Sequence, residues 1–168
     1  MGFNQLIKFS NWKHQLQIRG EMTHQHESIN RYIRNEGILG VFTWHTHGLA
    51  RGFANRGQPL GVGIGTGANV QTLELALVDG VNKKGIVLER LVNNQDYYYR
   101  ALFQFSQRKP WIDYSLGLLY DRQFGDLLFS TKLQVIHARN YQWQLDPLST
   151  PEFPRGRNLT SVLGQVNA

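Results

Sequence analysis

The sequence predicts an all-β fold, an antiparallel meander of amphipathic strands, and three observations predict it. Apolar residues recur with period two along most of the chain, whereas a helix would space them by three or four. No segment sustains a 3.6-residue period. Two short links, residues 79–84 and 122–126, have hairpin length and carry Gly with Asp or Asn.

The first strand is read over residues 14–22, where His14, Leu16, Ile18, Gly20 and Met22 alternate with Gln15, Gln17, Arg19 and Glu21. Residues 27–36 read as a short helical turn, and residues 40–54 as a strand rich in aromatics and His, interrupted by Gly48 and Gly52. Over residues 72–79, Leu73, Leu75 and Leu77 oppose Thr72, Glu74 and Ala76. Residues 85–93 are apolar on both faces, with Glu89 on one and Arg90 on the other. Residues 96–105 read as a second helical turn. Over residues 111–121, Ile112, Tyr114, Leu116, Leu118 and Tyr120 oppose Asp113, Ser115, Gly117 and Asp121. Over residues 127–137, Leu127, Phe129, Leu133 and Val135 oppose Leu128, Ser130, Lys132, Gln134 and Ile136. A last strand over 159–166 alternates only roughly. The links 55–69, 94–110 and 142–157 are long and carry Gly, Pro, Tyr and Arg.

Composition bounds the function. The 168 residues make one domain or part of one, and 41% hydrophobic content with four Trp, seven Tyr and nine Phe excludes a disordered chain. The absence of Cys excludes disulfide frameworks, thiolate zinc sites and thiol catalysis. No run approaches the ~20 apolar residues of a membrane-spanning helix, and the N-terminus lacks the basic and apolar regions of a signal peptide. A net charge of +6 favours acidic partners.

Two β architectures stay open on the residues alone. In one, a soluble sandwich or barrel buries the apolar face as its core. In the other, the apolar face meets lipid and the polar face lines the lumen of an outer-membrane barrel. Alternating short and long links suit the second, as do aromatics near strand ends: Trp12, Trp44, Trp111, Tyr120, Phe124, Tyr141 and Trp143.

The stretch Trp44-His45-Thr46-His47-Gly48-Leu49-Ala50-Arg51-Gly52, followed by Gln58-Pro59-Leu60-Gly61, resembles the C-terminal half of Wzi-type capsule assembly proteins, in particular their Bacteroidetes branch. So do the run Leu88-Glu89-Arg90-Leu91-Val92-Asn93-Asn94-Gln95-Asp96-Tyr97-Tyr98-Tyr99-Arg100-Ala101 and the segment Asn140-Tyr141-Gln142-Trp143. The likeness covers roughly residues 12 to 166 as an ordered set of moderately specific motifs. It implies a segment of an outer-membrane β-barrel of about eighteen strands, acting as a non-enzymatic surface lectin that holds capsular polysaccharide. The chain departs from that pattern in its length, its missing leader and its last residues, Gln165-Val166-Asn167-Ala168. Residues 1–168 are therefore expected to be one barrel segment, a C-terminal fragment whose remaining strands lie outside this chain. The expected partners are capsular or other surface polysaccharide and outer-membrane lipid. A periplasmic C-terminus would put the three long links outside the cell and the two tight turns inside. The link 24–39 does not fit that count.

Sugars are bound by aromatic faces stacked on their C–H surfaces, and Arg pairs bidentately with the carboxylates of acidic sugars. Asp96, Tyr97, Tyr98, Tyr99 and Arg100 offer that chemistry in one long link. Arg139, Asn140, Tyr141 and Trp143, with Arg155 and Arg157 downstream, offer it in another. The same aromatics also suit an interfacial girdle or loop packing. The alternative function is a soluble β-domain that binds or degrades polysaccharide, using carboxylates among Glu21, Glu74, Glu89, Asp113 and Asp121.

No cofactor or metal is expected. The pairs His24/His26 and His45/His47 fall short of a zinc ligand set. Gly63, Gly65 and Ala68 match a GxGxxA pattern, but a strand follows where a dinucleotide site needs a helix. Basic residues are dispersed and no nucleic-acid motif occurs, so no nucleic-acid partner is expected.

Overall fold

A computed structural model describes residues 1–25, 54–55, 58–59, 64–65, 67–103 and 108–167. Seven strands form one sheet: β1 (Gly2–Lys8), β2 (Gln15–His24), β5 (Asn69–Asp79), β6 (Asn82–Val92), β7 (Ile112–Phe124), β8 (Leu127–Arg139) and β9 (Leu159–Asn167). Two-residue strands β3 (Ala54–Asn55) and β4 (Gln58–Pro59) pair separately. The sheet order is β1-β2-β5-β6-β7-β8-β9, antiparallel throughout, with β1 and β9 as open edges. This is the antiparallel meander that the alternation predicts; the sheet is not closed.

Six strands fall on segments that the sequence predicts as strands: β2, β5, β7 and β8 show the period-two alternation, whereas β6 is apolar on both faces and β9 alternates only roughly. β1 is an addition: it has no regular alternation and is held by its register with β2, from Gly2 opposite Glu21 to Lys8 opposite Gln15. The strand expected over 40–54 and the helical turn over 27–36 lie outside the described residues, save for Ala54 in β3. β2 nevertheless pairs directly with β5, from Gln15 opposite Val78 to His24 opposite Asn69, so no strand stands between them in the sheet. β2 and β5 are thus neighbours in the sheet although residues 25–68 separate them in sequence.

The hairpins turn through Gly80-Val81 and Gly125-Asp126. Gly80 (φ 61°) and Gly125 (φ 60°) take the left-handed conformation that a two-residue hairpin requires at its first position. These turns and the link 9–14 share one end of the sheet, the turn end. The connections 25–68, 93–111 and 140–158 share the other, the loop end.

Residues opposite one another in an antiparallel ladder share a face. One face carries Leu73, Leu88, Leu116, Val135 and Val162 in one row, and Ile18, Leu75, Ile86, Leu118 and Leu133 in the next. This is the open face: Leu116 is 50% and Leu118 55% exposed. The other face carries Arg19, Glu74, Val87, Gly117 and Gln134 in one row, and Glu21, Thr72, Glu89, Ser115 and Ile136 in the next. This is the shielded face: Glu74 is 8% and Gln134 5% exposed. Small residues let it pack closely, since a Cβ on Gly85 would meet Ala76 Cβ at 2.7 Å, and one on Gly117 would meet Val87 Cγ1 at 2.7 Å. On the open face the Phe3 ring covers Gly20, supplying the bulk that the glycine lacks.

The polarity is therefore inverted relative to an ordinary core. Full burial of a Leu contributes about 1.5–3 kcal/mol, and the open face leaves much of that unrealised. On the shielded face, Glu74 pairs with Lys83, Gln134 Nε2 donates to Ser115 Oγ at 2.6 Å, and Ser130 Oγ donates to Asp121 Oδ1 at 2.6 Å. Cross-strand pairing of this kind removes the penalty of burying polar groups.

Candidate functional site

The loop end gathers two of the long connections. Just after β6, Asn94 (φ 34°) reverses the chain, and its side chain accepts a hydrogen bond from the Tyr97 backbone N–H at 3.1 Å. That cap starts one helical turn, Gln95–Tyr97, which widens over Tyr98–Leu102 with Phe103 N–H donating to Tyr98 O at 2.9 Å. Asn69 Nδ2 donates to Gln95 Oε1, and Gln95 N–H donates to Gly67 O at 2.7 Å, fixing the turn to the start of β5.

The second connection leaves β8 at Asn140. The Asn140 amide donates to Pro110 O at 2.9 Å, and its backbone N–H donates to Asn158 Oδ1 at 3.2 Å. A ladder then runs back along the loop: Tyr141 N–H to Arg157 O, Arg157 N–H to Gln144 O, and Asp146 N–H to Arg155 O. Arg157 Nη1 also donates to Gln144 Oε1 at 3.0 Å. Gln142 (φ 50°) and Trp143 (φ 55°) are held in the left-handed region, at a cost of order 1–3 kcal/mol each. That conformation brings the Trp143 ring back over the sheet's end.

Trp111 joins the two connections. Its ring lies 5.3 Å from Tyr141 and 5.6 Å from Trp143, both edge-on, and Trp143 lies 5.1 Å from Tyr97. Trp111 Nε1 donates to Asp113 Oδ1 at 2.6 Å, and Asn93 Nδ2 donates to the other oxygen at 2.8 Å, which orients the indole. Four aromatic rings thus run continuously from Tyr97 through Trp143 and Trp111 to Tyr141.

The sequence-predicted residues occupy different positions in this arrangement. Tyr97 is 46% exposed at the outer end of the ring series, with Trp143 and Tyr141 half-buried behind it. Asp96 and Tyr98 are buried, each 5% exposed. Tyr98 Oη donates to Arg108 O at 3.0 Å, and its ring packs on Tyr99 and Phe103. Burial, and secondarily Tyr99, push the Tyr98 phenol above its ordinary pKa. Asn140 spends its side chain on Pro110. Arg155 is exposed on the outer loop; Arg139 is exposed at the loop end of the leucine face, in the row of Asn69, Val92 and Ile112. Arg100 belongs to the widened turn. Sequence reasoning placed Trp111 at a strand end but missed its part in the ring series; its position one residue before β7 was the available signal.

The five candidate carboxylates all fall on the shielded face, and each has a partner. Glu21 pairs with Arg19 at 3.1 Å, Glu74 with Lys83, Glu89 with the Thr72 hydroxyl at 3.4 Å, Asp113 with Trp111 and Asn93, and Asp121 with Ser130. Glu21, Glu74 and Glu89 border a hollow of about 180 Å³ with Arg19 and Lys132. Among the described residues, no three His, Asp or Glu side chains gather as a metal ligand set; His26, His45 and His47 lie outside them. The strand β5 directly follows Ala68, where a dinucleotide site would place a helix. No helix among the described residues is long and apolar enough to cross a membrane, which does not bear on strands.

Comparison of the chain with protein-family models, with curated proteins and with solved structures finds no match.

Proposed function

We propose that the chain is a segment of an outer-membrane β-barrel of the kind seen in Wzi-type capsule assembly proteins, and that its loop end holds surface polysaccharide without chemical turnover. The observation that carries this is the inverted sheet, with leucines open and Glu74, Ser115 and Gln134 shielded on the opposite face. Lipid would cover the leucine rows, and the shielded rows would face a polar lumen. The open edges of β1 and β9 need further strands in such a barrel, since unpaired strand edges are not tolerated in lipid. At the loop end, the rings of Tyr97 and Trp143 would stack against sugar faces, and Arg155 would meet acidic groups.

The test uses encapsulated cells carrying the full-length gene product. Tyr97→Ala combined with Trp143→Ala is expected to lower retained surface polysaccharide about tenfold, the equivalent of about 1.4 kcal/mol, while the protein stays in the outer-membrane fraction. Unchanged retention sinks the assigned sugar site. Recovery of the unaltered protein in a soluble fraction sinks the barrel.

A further inference from the structure

Above the leucine rows, toward the loop end, the open face changes character. The next row is Met22, Gln71, Arg90, Tyr114, His137 and Thr160. The row beyond it is His24, Asn69, Val92, Ile112 and Arg139. Neither row contains a carboxylate; Glu89, beside Arg90 in sequence, faces the opposite side and is engaged by Thr72. At the turn end the open face is different, for there the acidic Asp79 lies among Lys84 and Arg122 and pairs with Lys13 at 2.9 Å.

Across the loop-end border lies a shallow depression of about 700 Å³. Leu73, Leu88, Leu116 and Val135 form its apolar side, with Arg90 and His137 at its rim. Arg90 Nη1 reaches Gln71 Oε1 at 3.4 Å, and His137 Nδ1 lies 2.9 Å from Thr160 Oγ1. Neutral neighbours thus position both side chains, and the Arg90 guanidinium keeps its charge unpaired by them. Tyr114, 40% exposed, stands between them in the row.

We propose that this border binds one anionic phospholipid-type amphiphile, its phosphate on Arg90 and His137 and its acyl chain along the Leu88–Leu116–Val135 row. The inference rests on the barrel reading given above. Charge complementarity selects the headgroup, because the Arg90 guanidinium faces it, with the His137 ring beside it as a hydrogen-bonding group and no competing acid in either row. Apolar area selects the tail. Arg favours a phosphate through its planar fork of donors, and Tyr suits the boundary between apolar chain and headgroup.

The test reconstitutes the full-length gene product in phosphatidylcholine vesicles, with and without phosphatidylglycerol. It then counts the lipids that stay bound after detergent extraction. Phosphatidylglycerol is expected to be retained about tenfold over phosphatidylcholine. Arg90→Gln with His137→Gln is expected to bring that preference to about twofold or less, consistent with about fivefold for the one Arg cation at an anionic surface. Arg90→Lys keeps the charge and is expected to keep most of the preference. Lys84→Gln, at the turn end, is expected to leave it unchanged. Equal retention of both lipids, or a preference that survives the double change, overturns the headgroup site while the barrel reading stands. Failure to enter either vesicle overturns both.

Discussion

The two faces of the sheet are built by the same strands yet obey opposite rules. Leu73 and Glu74 are neighbours in sequence, but the leucine is 39% exposed and the glutamate is shielded and ion-paired. Gly117 lies between Leu116 and Leu118, both half-open, while its own side of the strand leaves no room for a Cβ beside Val87. In a water-soluble layer the apolar face would carry the burial, since that is where the favourable free energy lies. Here the shielded face instead carries hydrogen bonds and small residues. The difference teaches that, among the described residues, the sheet's apolar surface is left open while polar pairing holds the opposite side together.

A charge on the open face breaks this comparison most severely. Leu118→Arg is expected to destabilise the reconstituted protein by about 2–4 kcal/mol if the face meets lipid, against about 0.5 kcal/mol or less for a water-exposed site; denaturant unfolding in vesicles reads the difference. On the shielded face, Lys83→Met strands the Glu74 carboxylate and is expected to cost about 2 kcal/mol, with Glu74→Leu added to it recovering most of the loss. The same unfolding measurement, run as a double-mutant cycle, separates the pair from its parts.

The smallest effect sits at the loop end. The Tyr98 phenol has its pKa raised on folding, so its contribution is complete below its unfolded value near 10.0 and is lost as pH climbs through the higher folded value. Tyr98→Phe is expected to cost about 1 kcal/mol through the lost bond to Arg108 O, and to remove that alkaline component. Tryptophan fluorescence from Trp111 and Trp143, compared between the two proteins above pH 10, detects it.

Most of the sheet was legible because lateral alternation is a property of single strands. Leu116, Leu118 and Tyr120 against Ser115 and Gly117 announce β7 without any knowledge of its neighbours. β1 was not legible: adjacent Leu6 and Ile7 fall on opposite faces, Gln5 shares the open face with Phe3 and Ile7, and only pairing with β2 makes the segment a strand. The two aromatic loops were legible as chemistry, but their junction was not. Trp111 meets Trp143 and Tyr141 only because β7 and β8 pair from Ile112 opposite Arg139 and because Gln142 and Trp143 adopt positive φ. Spacing alone also could not tell that the widened turn exposes Tyr97 and buries Tyr98.

The central claim is that lipid covers the leucine face and a polar lumen lies behind it. The chain contains no cysteine, so once any cysteine elsewhere in the full-length gene product is replaced by Ser, a single introduced thiol reports one side chain. The decisive measurement labels Leu116→Cys, Leu118→Cys, Ser115→Cys and Gln134→Cys, each in the full-length gene product in intact outer membranes. The label is a spin probe, read against a quencher dissolved in the lipid and one dissolved in water. The account predicts that positions 116 and 118 respond to the lipid quencher and positions 115 and 134 do not. Water-quencher contact at 116 and 118 equal to that of a soluble surface would contradict it.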